Sequence, residues 1–191
     1  MKSILSVDLD WILEHRQAIS VVTLLIEKFK SCDKIIFVKE HHQVLKHLDG
    51  TEDTIYNVDH HHDLGYDDFQ RYDDIEKNIE FREGDWIQFL LKSKSLKNYV
   101  WIHNISSLLV DTTLTGIREL EQYNHTIDLN VCENVNFSKV VICESYEYSN
   151  TLSPFMYNIL LEICKSIHKE KLVIDNAKNI ASYVDARIKN F

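Results

Sequence analysis

The chain has 191 residues, 45% of them hydrophobic, enough to bury one substantial core and too few for two ordinary domains. A formal net charge of -9 offers no broad basic surface for nucleic acid or an anionic membrane, and fits a metal or a cationic substrate better. Cys32, Cys132, Cys143 and Cys164 are scattered without a C-x-x-C pair, which excludes a dense disulfide framework or a thiolate zinc knuckle.

The opening MKSILSVDLDW places acids where a signal peptide needs an apolar run, and no stretch reaches transmembrane length, so a cytoplasmic protein is expected. Ser3–Val7 is the first short apolar run of strand length. The pattern of Ile12, Ile19, Val22, Leu25, Ile26 and Phe29 then predicts an amphipathic helix over Trp11–Lys30. Strands are predicted at Lys34–Val38 and Thr54–Val58, both rich in Ile and Val. Gly65–Glu83, crowded with acids and aromatics, reads as a loop over a site. A helix over Asp85–Lys94, with Trp86, Phe89 and Leu90, precedes strands at Asn98–Ile102 and Lys139–Cys143. Ser153-Pro154 marks the entry to a helix over Leu152–His168, and Asn176–Asn190 reads as another. Alternating strands and helices predict one α/β domain over residues 1–191, a three-layer sandwich with a mostly parallel sheet.

Ligands of a parallel sheet collect beyond the carboxyl ends of its strands. The residues following the apolar runs here are Asp8 and Asp10, then Glu40, His41 and His42, then Asp59, His60, His61, His62 and Asp63, then His103, and last Glu144. In Asp59-x-His61-x-Asp63 the chemistry-bearing residues alternate, so an extended backbone would project all three from one face. Asp8-x-Asp10 repeats that spacing on another strand. Imidazole and carboxylate ligands suit Mn²⁺, Fe²⁺ or Zn²⁺, and carboxylates bridge cations, so four Asp and two His suffice for a binuclear centre. Each group has a plainer reading: Asp10 as the cap of the helix near Trp11, His41 and His42 as the opening of a helix, and Asp59–Asp63 as a surface histidine patch. Trp86 and Trp101 read as packing residues, and His47, His125 and His168 lie outside the strand-end series.

IIFVKEHHQVL at Ile35–Leu45, NVDHHHDL at Asn57–Leu64, GDWI at Gly84–Ile87, VWIH at Val100–His103 and the segment VVICESYEYSNTLSP together carry a family resemblance. In them the chain resembles the ureohydrolase superfamily of arginases and agmatinases, in particular an uncharacterised arginase-like branch. The resemblance covers Lys34–Ser107 and, more thinly, the C-terminal third. It implies the arginase/deacetylase-like fold and a two-ion manganese centre on His41, Asp59, His61 and Asp63, with Asp59 and Asp8 bridging the cations and Asp10 completing the second site. It further implies a metal-bridging hydroxide attacking a guanidinium-like carbon, Glu144 orienting the cationic group, and His103 as proton shuttle. In ureohydrolases, however, the D-x-D pair follows D-x-H-x-D, whereas SVDLDW comes first here, and this chain is shorter than a usual arginase. Two other classes stay open. Asp-His-His phosphoesterases are similar in order, with an N-terminal D-x-D and a later Asp59-His60-His61, but this chain shows no Gly-rich or basic phosphate segment. The third is a non-catalytic ligand- or partner-binding protein on the same fold.

Overall fold

The computed structural model describes residues 2–65, 83–107, 122–145 and 152–176. Its centre is a seven-stranded sheet in the order β5-β4-β3-β1-β6-β2-β7, with every pairing parallel. The strands are β1 (Ser3–Asp8), β2 (Lys34–Val38), β3 (Thr54–Val58), β4 (Asn98–Ile102), β5 (Asn124–Thr126), β6 (Phe137–Cys143) and β7 (Leu172–Asp175). The five predicted runs are all present; β5 and β7, the short edge strands, are additional.

Successive side chains of a strand point to opposite faces, and two apolar clusters follow from that alternation. On one face Leu5, Val7, Ile35, Phe37, Val140 and Ile142 pack with helices α1 (His15–Ser31) and α3 (Leu152–Ile167). On the other, Ile4, Ile36, Val38, Ile55, Trp101 and Val141 pack with the 3-10 turn His41–His47 and helix α2 (Trp86–Lys92). The result is the three-layer arrangement expected of a parallel sheet buried on both faces.

The first helix begins later than its hydrophobic pattern predicts. Leu9, Trp11 and Ile12 are buried at the end of the sheet, so the chain makes a 3-10 turn over Leu9–Trp11 before α1 starts. Asp8, not Asp10, caps that turn: its Oδ1 accepts the Asp10 N–H at 3.0 Å. Helix α1 instead opens with a capping box between Glu14 and Gln17. His41 and His42 do open a helical turn, a 3-10 one, capped by Glu40 with Gln43. Among the described residues no helix is long and apolar enough to cross a membrane. The loop read at Gly65–Glu83 and the helix read at Asn176–Asn190 lie almost wholly outside the described residues.

Candidate metal centre

β1 and β3 are neighbours in register, pairing Ser6 with Asn57 and Val7 with Val58. The acids that follow, Asp8 and Asp59, therefore leave the sheet side by side. The turn after β2 brings His41 over them from beyond β6, which lies between β1 and β2. His41 Nδ1 lies 2.8 Å from Asp59 Oδ2, 3.2 Å from Asp63 Oδ2 and 3.3 Å from Asp8 Oδ2. A second imidazole stands on the far side of Asp59: His61 Nδ1 is 3.1 Å from Asp10 Oδ2 and 3.9 Å from Asp59 Oδ1. Two groups of ligand atoms result, Asp8–His41–Asp59 and Asp10–Asp59–His61, each with its donors within 4.8 Å of one another, and Asp59 belongs to both.

The alternating spacings do not act through a pleat. β3 ends at Val58, and the chain then turns, with Asp63 in the left-handed region at φ 54°. The Asp59 carboxylate accepts the His61 N–H at 2.8 Å, a short-range bond that turns the backbone and faces His61 toward Asp10. Asp10 likewise sits in the 3-10 turn after β1 and accepts the His60 N–H at 3.3 Å. Bending, not extension, makes the side chains converge.

Four further residues hold these side chains in place: Ser6 and Asn57, which the strand-end series does not include, and Trp86 and Trp101, read from the sequence as packing residues. Ser6 and Asn57 are fully buried polar residues inside apolar strands, two positions before Asp8 and Asp59 and on the same face. Ser6 Oγ bonds His41 Nε2 at 2.7 Å, and Asn57 Nδ2 donates to Asp59 Oδ2 at 3.1 Å. The indole of Trp86 donates to Asp63 Oδ2 at 2.6 Å, and that of Trp101 to the Asp59 carbonyl at 3.0 Å. Both tryptophans pack, as expected, and also orient the acids. His62 turns away: it is buried, its Nδ1 accepts the Leu64 N–H at 3.0 Å, and its carbonyl accepts the Tyr99 hydroxyl. The signal for Ser6 and Asn57 was present, a lone polar residue at i−2 from each acid inside a buried strand.

Electrostatics describe a cluster that wants a cation. Asp8, Asp10, Asp59, Asp63 and His41 are each no more than 5% exposed. Burial, then the charges of Asp10 and Asp59, raises Asp8 well above the usual carboxylate range. Burial and Asp59 raise Asp10, and burial and Asp63 raise Asp59. Burial acts against the His41 imidazolium, yet the Asp59 and Asp63 carboxylates outweigh it and lift His41 well above its ordinary value. His61 is pushed up to about 10, burial again being overcome by the bond to Asp10 and the charge of Asp59. Alone, the cluster balances its charge by holding protons. A divalent ion does the same with the ligand set that hard and borderline cations prefer, so these residues fit a metal.

Of the predicted residues, His41, Asp59, His61, Asp63, Asp8 and Asp10 are brought together, with Asp63 tied to Trp86 and to His41. Glu144, following β6, is buried and ion-paired with Lys39, whose ammonium also lies 4.5 Å from the Tyr157 ring centroid. His103, following β4, is buried against Trp101, with ring centroids 4.6 Å apart. No family model, curated protein or solved structure matches this chain.

Proposed function

We propose that this protein is a binuclear metallohydrolase acting on a C–N bond of a guanidino or amide compound. The observation that carries the reading is the sharing of Asp59 between the two buried Asp/His groups. One carboxylate with two oxygens, each facing a different imidazole, suits a bridge between two divalent ions, with manganese the first choice and iron or zinc the alternatives.

Divalent ions, if held by these residues, would supply a nucleophile at neutral pH by lowering the pKa of water. The chain's own residues do the rest. Asp8 with His41 and Asp10 with His61 would complete the two positions, and Ser6 and Asn57 keep the imidazole and the shared carboxylate in their orientations. Because Lys39 already pairs with Glu144, a cationic substrate would have to displace that ammonium to reach the carboxylate. A small-molecule substrate and a cytoplasmic setting complete the reading.

One observation favours a second reading. The N-terminal Asp8/Asp10 pair meets Asp59 and His61 in space, the combination that resembles Asp-His-His phosphoesterases. The test is elemental analysis of tag-free protein purified without chelator, followed by parallel screening of guanidino compounds, amides and phosphodiesters. Near two ions per chain with C–N cleavage supports the proposal. Phosphodiester cleavage transfers the site to the second reading, and no bound metal after Mn²⁺ is supplied removes both in favour of a binding protein.

A further inference from the structure

Asn104, the second residue after β4, is buried and ties two histidines to the strand ends that carry the acidic cluster. Its Oδ1 accepts the Ser106 N–H at 3.0 Å, the Ser106 hydroxyl at 2.6 Å and the Ser107 N–H at 3.1 Å. Backbone N–H groups can only donate, so the orientation of the side-chain amide is fixed. Its Nδ2 therefore faces the Trp11 carbonyl at 3.3 Å and His60 Nδ1 at 2.9 Å.

An amide nitrogen has no lone pair to offer, so His60 Nδ1 is the acceptor. Ser107 Oγ points the same way. It accepts the Asn104 N–H at 3.2 Å, which leaves its hydrogen for His60 Nδ1, 3.3 Å away. With donors converging on Nδ1, a neutral His60 carries its proton on Nε2. His103 is set oppositely: its Nδ1 lies 2.9 Å from the Asn104 carbonyl, which can only accept, so Nδ1 is protonated and Nε2 keeps its lone pair. His60 is half-buried, stands edge to face with His61 at 5.0 Å, and fixes Asp10 through its backbone N–H.

We propose that Asn104 is a positioning residue that imposes opposite tautomers on two histidines, His60 as an Nε2–H donor and His103 as an Nε2 acceptor. The side-chain amide acts on His60 and the backbone carbonyl on His103. Use of the pair in hydrolysis, one giving and one taking a hydrogen bond, rests on the function proposed above. The tautomers rest on hydrogen bonding alone.

Long-range ¹H–¹⁵N correlation spectra of the full chain labelled in its histidines, at mildly alkaline pH and without paramagnetic metal, read each tautomer directly. His60→Gln and His103→Gln supply the assignments. The expected wild-type pattern is Nε2–H for His60 and Nδ1–H for His103. Asn104→Asp keeps an acceptor for Ser106 and Ser107 but places a carboxylate opposite His60 Nδ1. The His60 proton should then move to Nδ1 while His103 stays unchanged. A wild-type His60 that is Nδ1–H or a mixture of tautomers overturns the proposal, and so does a His60 unaltered in folded Asn104→Asp. Should the variant fail to fold, the wild-type spectrum still decides. Both tautomers found in a protein that binds no metal would sink the hydrolase reading and leave this assignment standing.

Discussion

Asp59→Asn is the most informative single change, because Asp59 alone belongs to both ligand groups. Partners that merely support a ligand carry about 10- to 100-fold in metal affinity, so losing a charged ligand shared by both positions should cost at least about 100-fold at each. At free metal near 100 times Kd, one bound ion stabilises the wild type by about 2.7 kcal/mol. For a chain of 191 residues that is about 5–11 °C of melting temperature. A site weakened 100-fold contributes only about 0.4 kcal/mol at the same concentration, or about 1 °C. Without metal the substitution destabilises. Asn keeps an oxygen for the His61 N–H, but its amide nitrogen replaces the Oδ2 that accepts from Asn57 Nδ2 and lies 2.8 Å from His41 Nδ1. Stripping one partner from a buried ion pair costs about 3–5 kcal/mol, partly offset by removing one carboxylate from beside Asp8, Asp10 and Asp63. The metal-free variant should therefore melt several degrees below the wild type, and the metal-dependent rise is measured from each protein's own metal-free melt. Thermal melts across a Mn²⁺ or Zn²⁺ titration, beside elemental analysis, measure both effects. Asp8→Asn, which touches only one group, should lose one ion where Asp59→Asn loses both. An Asp59→Asn protein that keeps two ions and the full metal-dependent rise would refute the shared-ligand assignment.

The remaining predictions concern support and protonation. Ser6→Ala removes the 2.7 Å bond to His41 Nε2, so metal affinity at the Asp8–His41–Asp59 position should fall about 10- to 100-fold; isothermal titration showing unchanged affinity would make Ser6 a packing residue only. His41 and His61 both have raised values when folded, so their contribution is complete below the ordinary imidazole value of 6.5 and is lost as pH rises, toward about 10 for His61. The raised Asp8, Asp10 and Asp59 act in the same direction, since the folded cluster holds protons more tightly than the unfolded chain. Metal-free protein should thus melt progressively lower between pH 6.5 and 10, and bound metal, which displaces those protons, should shrink the decline. A melting temperature that stays flat or rises over that range would contradict the packing of charges seen around His41.

Five strands were legible from Ile- and Val-rich runs because a strand covered on both faces must be apolar along most of its length. The edge strands were not. β5 is Asn-His-Thr and carries no apolar run, while the apolar run of β7, Leu172-Val173-Ile174, is only three residues long, shorter than the runs read as strands. The start of the first helix was misread because Trp11 and Ile12 are buried by the sheet end, and their hydrophobicity looks the same in sequence as that of a helix face. The ligand types after each strand were readable as well, but their supposed common face was not how they meet, since Asp10 and Asp63 lie in turns.

By itself the sequence determined a parallel α/β core and a supply of Asp and His at its strand ends, since burial and periodicity are written residue by residue along the chain. Only the tertiary structure decided that His41 crosses β6 to meet Asp8, that Asp59 serves two ligand groups, and that Asn104 orients both His60 and His103. Those meetings depend on strand order, register and the direction of a turn. Such quantities arise between segments far apart in sequence, and no local pattern encodes them.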